Sequence, residues 1–183
     1  MKQILMACLF LCLFGFTRAQ ENLFSLSGGY SFANIEDAET NSTGWRINGL
    51  YEFNPSAGSF SHGVSIGYIR TNGESDALVQ TTYYKLNSIP VYYAPKYMFG
   101  SESFKGFVKG ALGMHYSFMT RTGGLGELST HDWGFYGGAS AGIMYFFNEK
   151  LFLNLEYEWA YLSNTYYRDG FMNSAMGGIG IRF

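Results

Sequence analysis

Cysteine is almost missing from this 183-residue chain, and the two that occur, Cys8 and Cys12, sit close to its start. The body of the chain therefore offers neither a disulfide framework nor a thiolate metal site. Histidine is scarce too: His62, His115 and His131 fall on separate segments, which supplies no metal-ligand spacing. Charged residues make up only 14% of the chain, and no basic cluster of the kind that tracks a nucleic-acid backbone is present. No cofactor motif occurs. Long apolar runs are also lacking: the longest, Ile4 to Phe16, is roughly 13 residues against the ~20 a membrane-crossing helix needs.

That run has a different meaning. Lys2 precedes it and Thr17-Arg18-Ala19 follows it, with small residues where a signal peptidase requires them. Residues 1–19 are therefore expected to be a cleaved export signal, and 20–183 a single domain. A retained N-terminal anchor is the alternative. Leu5-Met6-Ala7-Cys8 superficially resembles a lipidation box, but the apolar core follows that cysteine instead of preceding it. Without Lys2 and Arg18 the chain keeps 10 basic and 14 acidic residues, a net charge of −4.

What is abundant is aromatic and glycine: 19% aromatic, 15 Tyr, 17 Phe and 24 Gly. This composition favours sheet, and the pattern agrees, because eight segments alternate with a period of two. The apolar parity reads Phe24, Leu26, Gly28, Tyr30, Phe32; then Trp45, Ile47, Gly49, Tyr51, Phe53; then Val64, Ile66, Tyr68. A fourth segment runs through Ile89, Val91, Tyr93 and Tyr97, where Pro90 and Pro95 predict a bulge or a missing ladder bond. The fifth to eighth are centred on Val108–Tyr116, Phe135–Tyr145, Leu153–Tyr161 and Ala175–Phe183. Segments 34–43, 72–80, 119–131 and 163–171 read as long polar loops; 98–104 and 148–150 read as short turns, and 54–61 is longer than this pattern wants.

The expected fold is all-β: an eight-stranded antiparallel up-and-down transmembrane β-barrel. Alternation alone does not decide the solvent, since a soluble barrel or sandwich also alternates. The sign does. The uncharged parity carries aliphatics mid-strand and aromatics toward the strand ends, as a lipid-facing band between two interfacial girdles would. The other parity mixes Ser and Gly with charges of both signs, which suits a narrow interior. Short turns on one side, long loops on the other and an even strand count match a Gram-negative outer-membrane barrel.

The chain resembles the small outer-membrane barrels grouped with outer membrane protein X, the outer membrane protein A transmembrane domain and the opacity-type proteins. The residues that carry the resemblance are Ile89-Pro90-Val91-Tyr92-Tyr93 with Lys96-Tyr97, and the terminal Gly177-Gly178-Ile179-Gly180-Ile181-Arg182-Phe183. It implies that Ile179, Ile181 and Phe183 form a C-terminal assembly signal read by the barrel-assembly machinery. Lipid A deacylases of this architecture resemble a His-x-Ser-Asn motif, and here Tyr161-Leu162-Ser163-Asn164 lacks the histidine.

The candidate interior polar network is Arg46, Glu52, Lys109, His115, Glu156, Glu158 and Arg182. An unpaired charge in a dry lumen costs several kcal/mol, so these residues are expected to pair or to hold water. Strand positions put Glu52 low, near Lys109 or Arg182, and Glu156 with Glu158 higher, near Arg46 or His115. Such a set is a polar plug or, alternatively, a proton or ion path. Ser129, His131 and Asp132 look triad-like but crowd one short stretch. The loops carry Glu36, Asp37 and Glu39, then Glu74 and Asp76, and finally Tyr166, Tyr167 and Arg168, a composition compatible with an extracellular ligand. The functional expectation is a non-enzymatic barrel, embedded in outer-membrane lipid, with a structural or surface-interaction role through its loops. The alternatives are a small-solute or ion channel and a lipid-modifying envelope enzyme.

Overall fold

A segment that is apolar on one parity and small or polar on the other can satisfy its backbone and both faces only as a strand between two neighbours. The computed structural model describes residues 21–35, 41–54, 58–77, 80–123, 126–163 and 167–183. Their regular structure is all strand: β1 (Glu21–Ile35), β2 (Asn41–Asn54), β3 (Phe60–Ala77), β4 (Gln80–Tyr93), β5 (Lys96–Gly100), β6 (Phe104–Gly123), β7 (Gly126–Phe146), β8 (Leu151–Leu162) and β9 (Tyr167–Arg182). All pairings are antiparallel between neighbours, and β1 also pairs with β9, so the sheet closes on itself. Both β4 and β5 lie between β3 and β6, so nine strands fill eight positions of the ring. The expected signal, 1–19, and the acids Glu36, Asp37 and Glu39 lie outside the described residues, as does Tyr166.

The interruption between β4 and β5 is a lapse in the ladder, not a bulge. Val64 faces Tyr93 and Ser61 faces Lys96 in unshifted register. Across the break the Ala94 amide still donates to Gly63 O (2.8 Å) and the Gly110 amide to Pro95 O (2.8 Å). At Pro90 the pairing with β3 lapses between Ile66–Val91 and Ile69–Ser88, as a residue without an N–H requires. A register shift does occur elsewhere, between Ala33 and Ile35 against β9.

The long loops need correction. β3, β6 and β7 run for 18, 20 and 21 residues, roughly twice the ~9–11 that cross a bilayer. Pairing persists to Ala77–Gln80 in one hairpin and to Gly123–Gly126 in another, so 72–80 and 119–131 are mostly strand. Polar residues there mark exposure to water; they do not end a ladder whose partner strand is still alongside. The segments 34–43 and 163–171 shrink likewise, since β1 reaches Ile35, β2 starts at Asn41 and β9 at Tyr167. At the other end asparagine side chains hold described residues of two connections. Asn54 brackets Gly58, its Nδ2 donating to Gly58 O (2.5 Å) and its Oδ1 accepting from Gly58 N (3.2 Å). Asn148 Oδ1 accepts from the Lys150 and Leu151 amides, both at 2.8 Å.

The apolar parity faces outward. Leu26, Ile47, Val64, Ile66, Leu112, Met114, Leu155 and Ile179 are exposed mid-strand, with Tyr30, Trp45, Trp133 and Trp159 toward one end and Phe53, Phe60, Phe104 and Phe183 toward the other. Aromatic contacts tie neighbouring strands within these belts, including Trp45–Tyr68 (5.3 Å between centroids), Tyr116–Trp133 (5.0 Å) and Trp159–Phe171 (4.9 Å).

Candidate functional site

Inside the ring, the second parity builds a filled lumen. Six charged side chains are buried among the described residues: Arg46, Lys96 and Lys109 against Glu52, Glu156 and Glu158. The two signs balance. Arg46 on β2 reaches Glu158 on β8 with Nη1 2.5 Å from Oε1. Its Nη2 donates to Tyr92 Oη at 3.2 Å, and Asn48 Nδ2 donates to the same oxygen at 3.2 Å. Tyr136 Oη donates to Glu158 Oε1, while the Tyr92 and Tyr136 rings stack at 4.9 Å. Lys109 on β6 lies 2.5 Å from Glu156 and 3.9 Å from Glu158. This cluster joins five strands across the barrel.

A second cluster lies nearer the short turns. Glu52 takes Lys96 Nζ at 2.9 Å and Ser61 Oγ at 3.0 Å, and the ammonium sits 4.4 Å from the centroid of the Phe107 ring. Below it, Leu23, Met98, Phe107, Met144, Phe146 and Phe152 close the lumen. On the far side of the Arg46 cluster, Ile69, Leu86, Leu162, Tyr167 and Met172 do the same. The charges thus lie between two apolar layers, where each depends on its partner.

Several placements differ from the sequence-based ones. The cation of Glu52 is Lys96, not Lys109 or Arg182. Arg182 lies at the rim, where its Nε donates to Glu149 O (2.6 Å) and its Nη1 is 3.8 Å from Glu21. His115 is buried away from the glutamates: Nδ1 is 2.8 Å from Ser117 Oγ, which is 2.7 Å from Ser88 Oγ. Lys96, Asn48, Tyr92 and Tyr136 were missed by the sequence reading. Their signal was parity, since each shares the inward register of its strand, but the prolines obscured that register around Tyr92 and Lys96. Ser129, His131 and Asp132 lie on β7, not in a loop, and alternation sends Asp132 to the face opposite Ser129 and His131. That geometry does not assemble a triad.

At the end carrying the long hairpins, β3, β4, β6 and β7 continue as one projecting antiparallel sheet. A lipid-compatible exterior, a neutral plugged interior and hairpins beyond the aromatic belt together define a membrane barrel. The model of the outer membrane protein beta-barrel domain matches residues 5–183. The chain belongs to this family. It is accordingly a protein of the Gram-negative outer membrane. Solved structures that it resembles include Neisserial surface protein A (14% identity, covering 88% of this chain and 97% of that one, TM-score 0.61). Ail, the attachment invasion locus protein of Yersinia pestis, is similar at 18% identity, 89% and 98% coverage and TM-score 0.57. OprG from Pseudomonas aeruginosa is similar at 12% identity, 88% and 96% coverage and TM-score 0.53. At these identities the likeness is one of fold. No curated protein sequence matches the chain.

Proposed function

We propose that this outer-membrane barrel is non-enzymatic and acts at the cell surface, the barrel serving as a rigid support for extracellular hairpins that meet an external partner. The observation that carries this reading is the four-stranded sheet built from β3, β4, β6 and β7 beyond the aromatic belt. Strand pairing holds that sheet in one shape, so its binding groups are pre-organised instead of being ordered at a cost on contact. The filled lumen supports the same reading, because a conducting path would require moving Tyr92, Tyr136 and the ion pairs between the apolar layers. Two of the similar folds carry surface-directed names, Neisserial surface protein A and the attachment invasion locus protein, and the latter was solved with the heparin analogue sucrose octasulfate. Outer-membrane lipid and the barrel-assembly machinery complete the proposed partners, the latter reading Ile179, Ile181 and Phe183.

The test compares cells displaying the wild type with cells displaying a variant whose Thr120–Ser129 hairpin is replaced by a tight turn, at matched surface levels. Adhesion to protein-coated and cultured-cell surfaces should fall with the shortened hairpin. Equal adhesion, together with a steady ion conductance of the purified protein in liposomes, would favour the channel instead.

A further inference from the structure

The outward face of the barrel is not evenly filled. On the strand pair β6 and β7, Gly106, Gly110 and Gly137 share parity with the exposed Val108, Leu112 and Phe135, and each leaves a gap where a side chain would stand against lipid. Two of these gaps are filled by the protein's own rings: a Cβ at Gly106 would lie 2.6 Å from the Phe99 ring, and one at Gly137 would lie 2.7 Å from the Phe135 ring. At Gly110 the neighbour within 4 Å is Pro95 alone, with Cγ at 3.3 Å. The residue facing Gly110 across the ladder is Ala139, and the next outward pair toward the short turns is Val108 with Ala141. Neither strand therefore supplies a ring to cover this point.

The result is a shallow apolar hollow of about 680 Å³ with Gly110, Ala139 and Ala141 in its floor. Phe60 and Tyr97 stand on one side of it, Tyr157 and Trp159 on the other. The strands that carry Tyr97 and Trp159, β5 and β8, are separated in the ring by β6 and β7, which places them about 14 Å apart. That is roughly half of the ~25–30 Å apolar thickness of a bilayer, the depth of one leaflet. Phe60 opens β3 and Tyr97 lies near the end of β5, so this side of the hollow is at the short-turn, periplasmic end. Trp159 belongs to the opposite belt, its ring stacked on Phe171 at 4.9 Å.

We infer that this hollow binds one acyl chain of an inner-leaflet glycerophospholipid, which lies from Tyr97 across Gly110 and Ala139 toward Trp159. The site is independent of the surface role of the hairpins. The outward parity of an outer-membrane barrel meets hydrocarbon, so the hollow is filled either by a lipid chain or by another protein. A stable protein interface takes roughly 20–30 residues a side, whereas eleven residues line this hollow. Lipid tails are as apolar as the barrel wall, so retention depends on packing and not on escape from water. A chain seated between facing rings has wall atoms beside it as well as beneath it, contacts that a convex wall cannot offer. Tyr97 supplies the polar end. Its Oη has no protein hydrogen-bond partner among the described residues, and at the periplasmic edge of the hydrocarbon the ester carbonyls of a glycerophospholipid are the acceptors within its reach. The Trp159–Phe171 stack closes the opposite side, against entry of a chain from the outer leaflet.

The test uses the full protein in asymmetric bilayers, lipid A in the outer leaflet and phosphatidylethanolamine in the inner, with a photoreactive diazirine in the acyl chains of one lipid or the other. Cross-linked residues are mapped by mass spectrometry after irradiation. With labelled phosphatidylethanolamine, cross-links on Tyr97 and Tyr157 should exceed those on Tyr51 and Tyr145, exposed tyrosines outside the hollow, at least fivefold. Ala139→Leu and Ala141→Leu each fill the floor from the lipid side and should bring that ratio close to one. Val64→Leu, an outward enlargement on β3 away from the hollow, should leave it unchanged, with heat-modifiable gel migration showing that the variants fold. Native mass spectrometry gives a second measurement: the wild type should retain a single phosphatidylethanolamine at least threefold more often than A139L does. Even labelling around the apolar band, or a ratio indifferent to both floor variants, would overturn the proposal. Stronger labelling of the hollow by lipid A would assign it to the other leaflet, and cross-links between two copies of the chain through Tyr97 or Tyr157 would assign it to a second barrel; either result overturns it as well.

Discussion

Arg46 and Glu158, 112 positions apart in the chain, meet across the lumen with Nη1 2.5 Å from Oε1, both side chains shielded from solvent. The contact ties β2 to β8, which are not neighbours in the ring. It therefore braces the barrel across its width, which no ladder bond can do.

Breaking that brace leaves a buried charge alone. Arg46→Ala and Glu158→Gln should each destabilise the folded barrel by about 3–5 kcal/mol, the usual cost of removing one partner of a buried pair. The double variant should fall short of the sum by about 0.5–3 kcal/mol. Reversible urea unfolding in detergent micelles measures all three. Strict additivity would show that the two residues do not act as a pair.

Among the described residues, the Glu52–Lys96–Ser61 cluster shares no hydrogen-bond or ion-pair partner with the Arg46 cluster. Lys96→Met should destabilise by about 3–5 kcal/mol, and its effect should add to that of Arg46→Ala within about 0.5 kcal/mol. Coupling well above that value would mean that the two clusters form one network.

Gly180 tests the packing beneath the plug. A Cβ there would lie 2.1 Å from the tip of the Phe152 ring, so Gly180→Ala should cost about 1–3 kcal/mol by overpacking. Phe152→Leu in the same chain should recover part of that loss. If G180A unfolds at the wild-type midpoint, the ring has room that the structure does not show.

Phe183 closes the seam. Its amide donates to Asn22 O and its carbonyl accepts from Asn22 N, both at 3.0 Å, and its ring lies outward, 6.3 Å from Tyr51. Deleting it should weaken barrel refolded into detergent by no more than about 1.5–3 kcal/mol for the ring, plus about 0.5–1.5 kcal/mol for each lost bond. The amount assembled in cells should fall far more if the proposed assembly signal operates. Quantitative blotting of folded and unfolded forms, set beside refolding yield, separates the two roles. Matched losses would leave Phe183 purely structural.

Much of this molecule was legible in the chain. Alternation with period two fixes which side chains share a face, because a strand has no other way to dispose them, and so the outward band from Leu26 to Phe183 and the inward parity carrying Arg46, Glu52, Lys109, Glu156 and Glu158 follow from the order of residues. The clash between charge and a narrow interior likewise required that those charges be paired. What the order of residues could not supply was which charge meets which. Partners across a barrel depend on the stagger between strands, and Lys96 came into reach of Glu52 only because the register runs unshifted past Pro95. Arg182 went to the rim for the same reason: it lies at the last turn of the ladder, level with Glu21 and Glu149. Nor does polarity reveal where strands end outside the membrane, since a hydrogen-bonded ladder persists in water as long as both strands are present. The projecting sheet was therefore decided by pairing, a property of two segments at once that neither segment states alone.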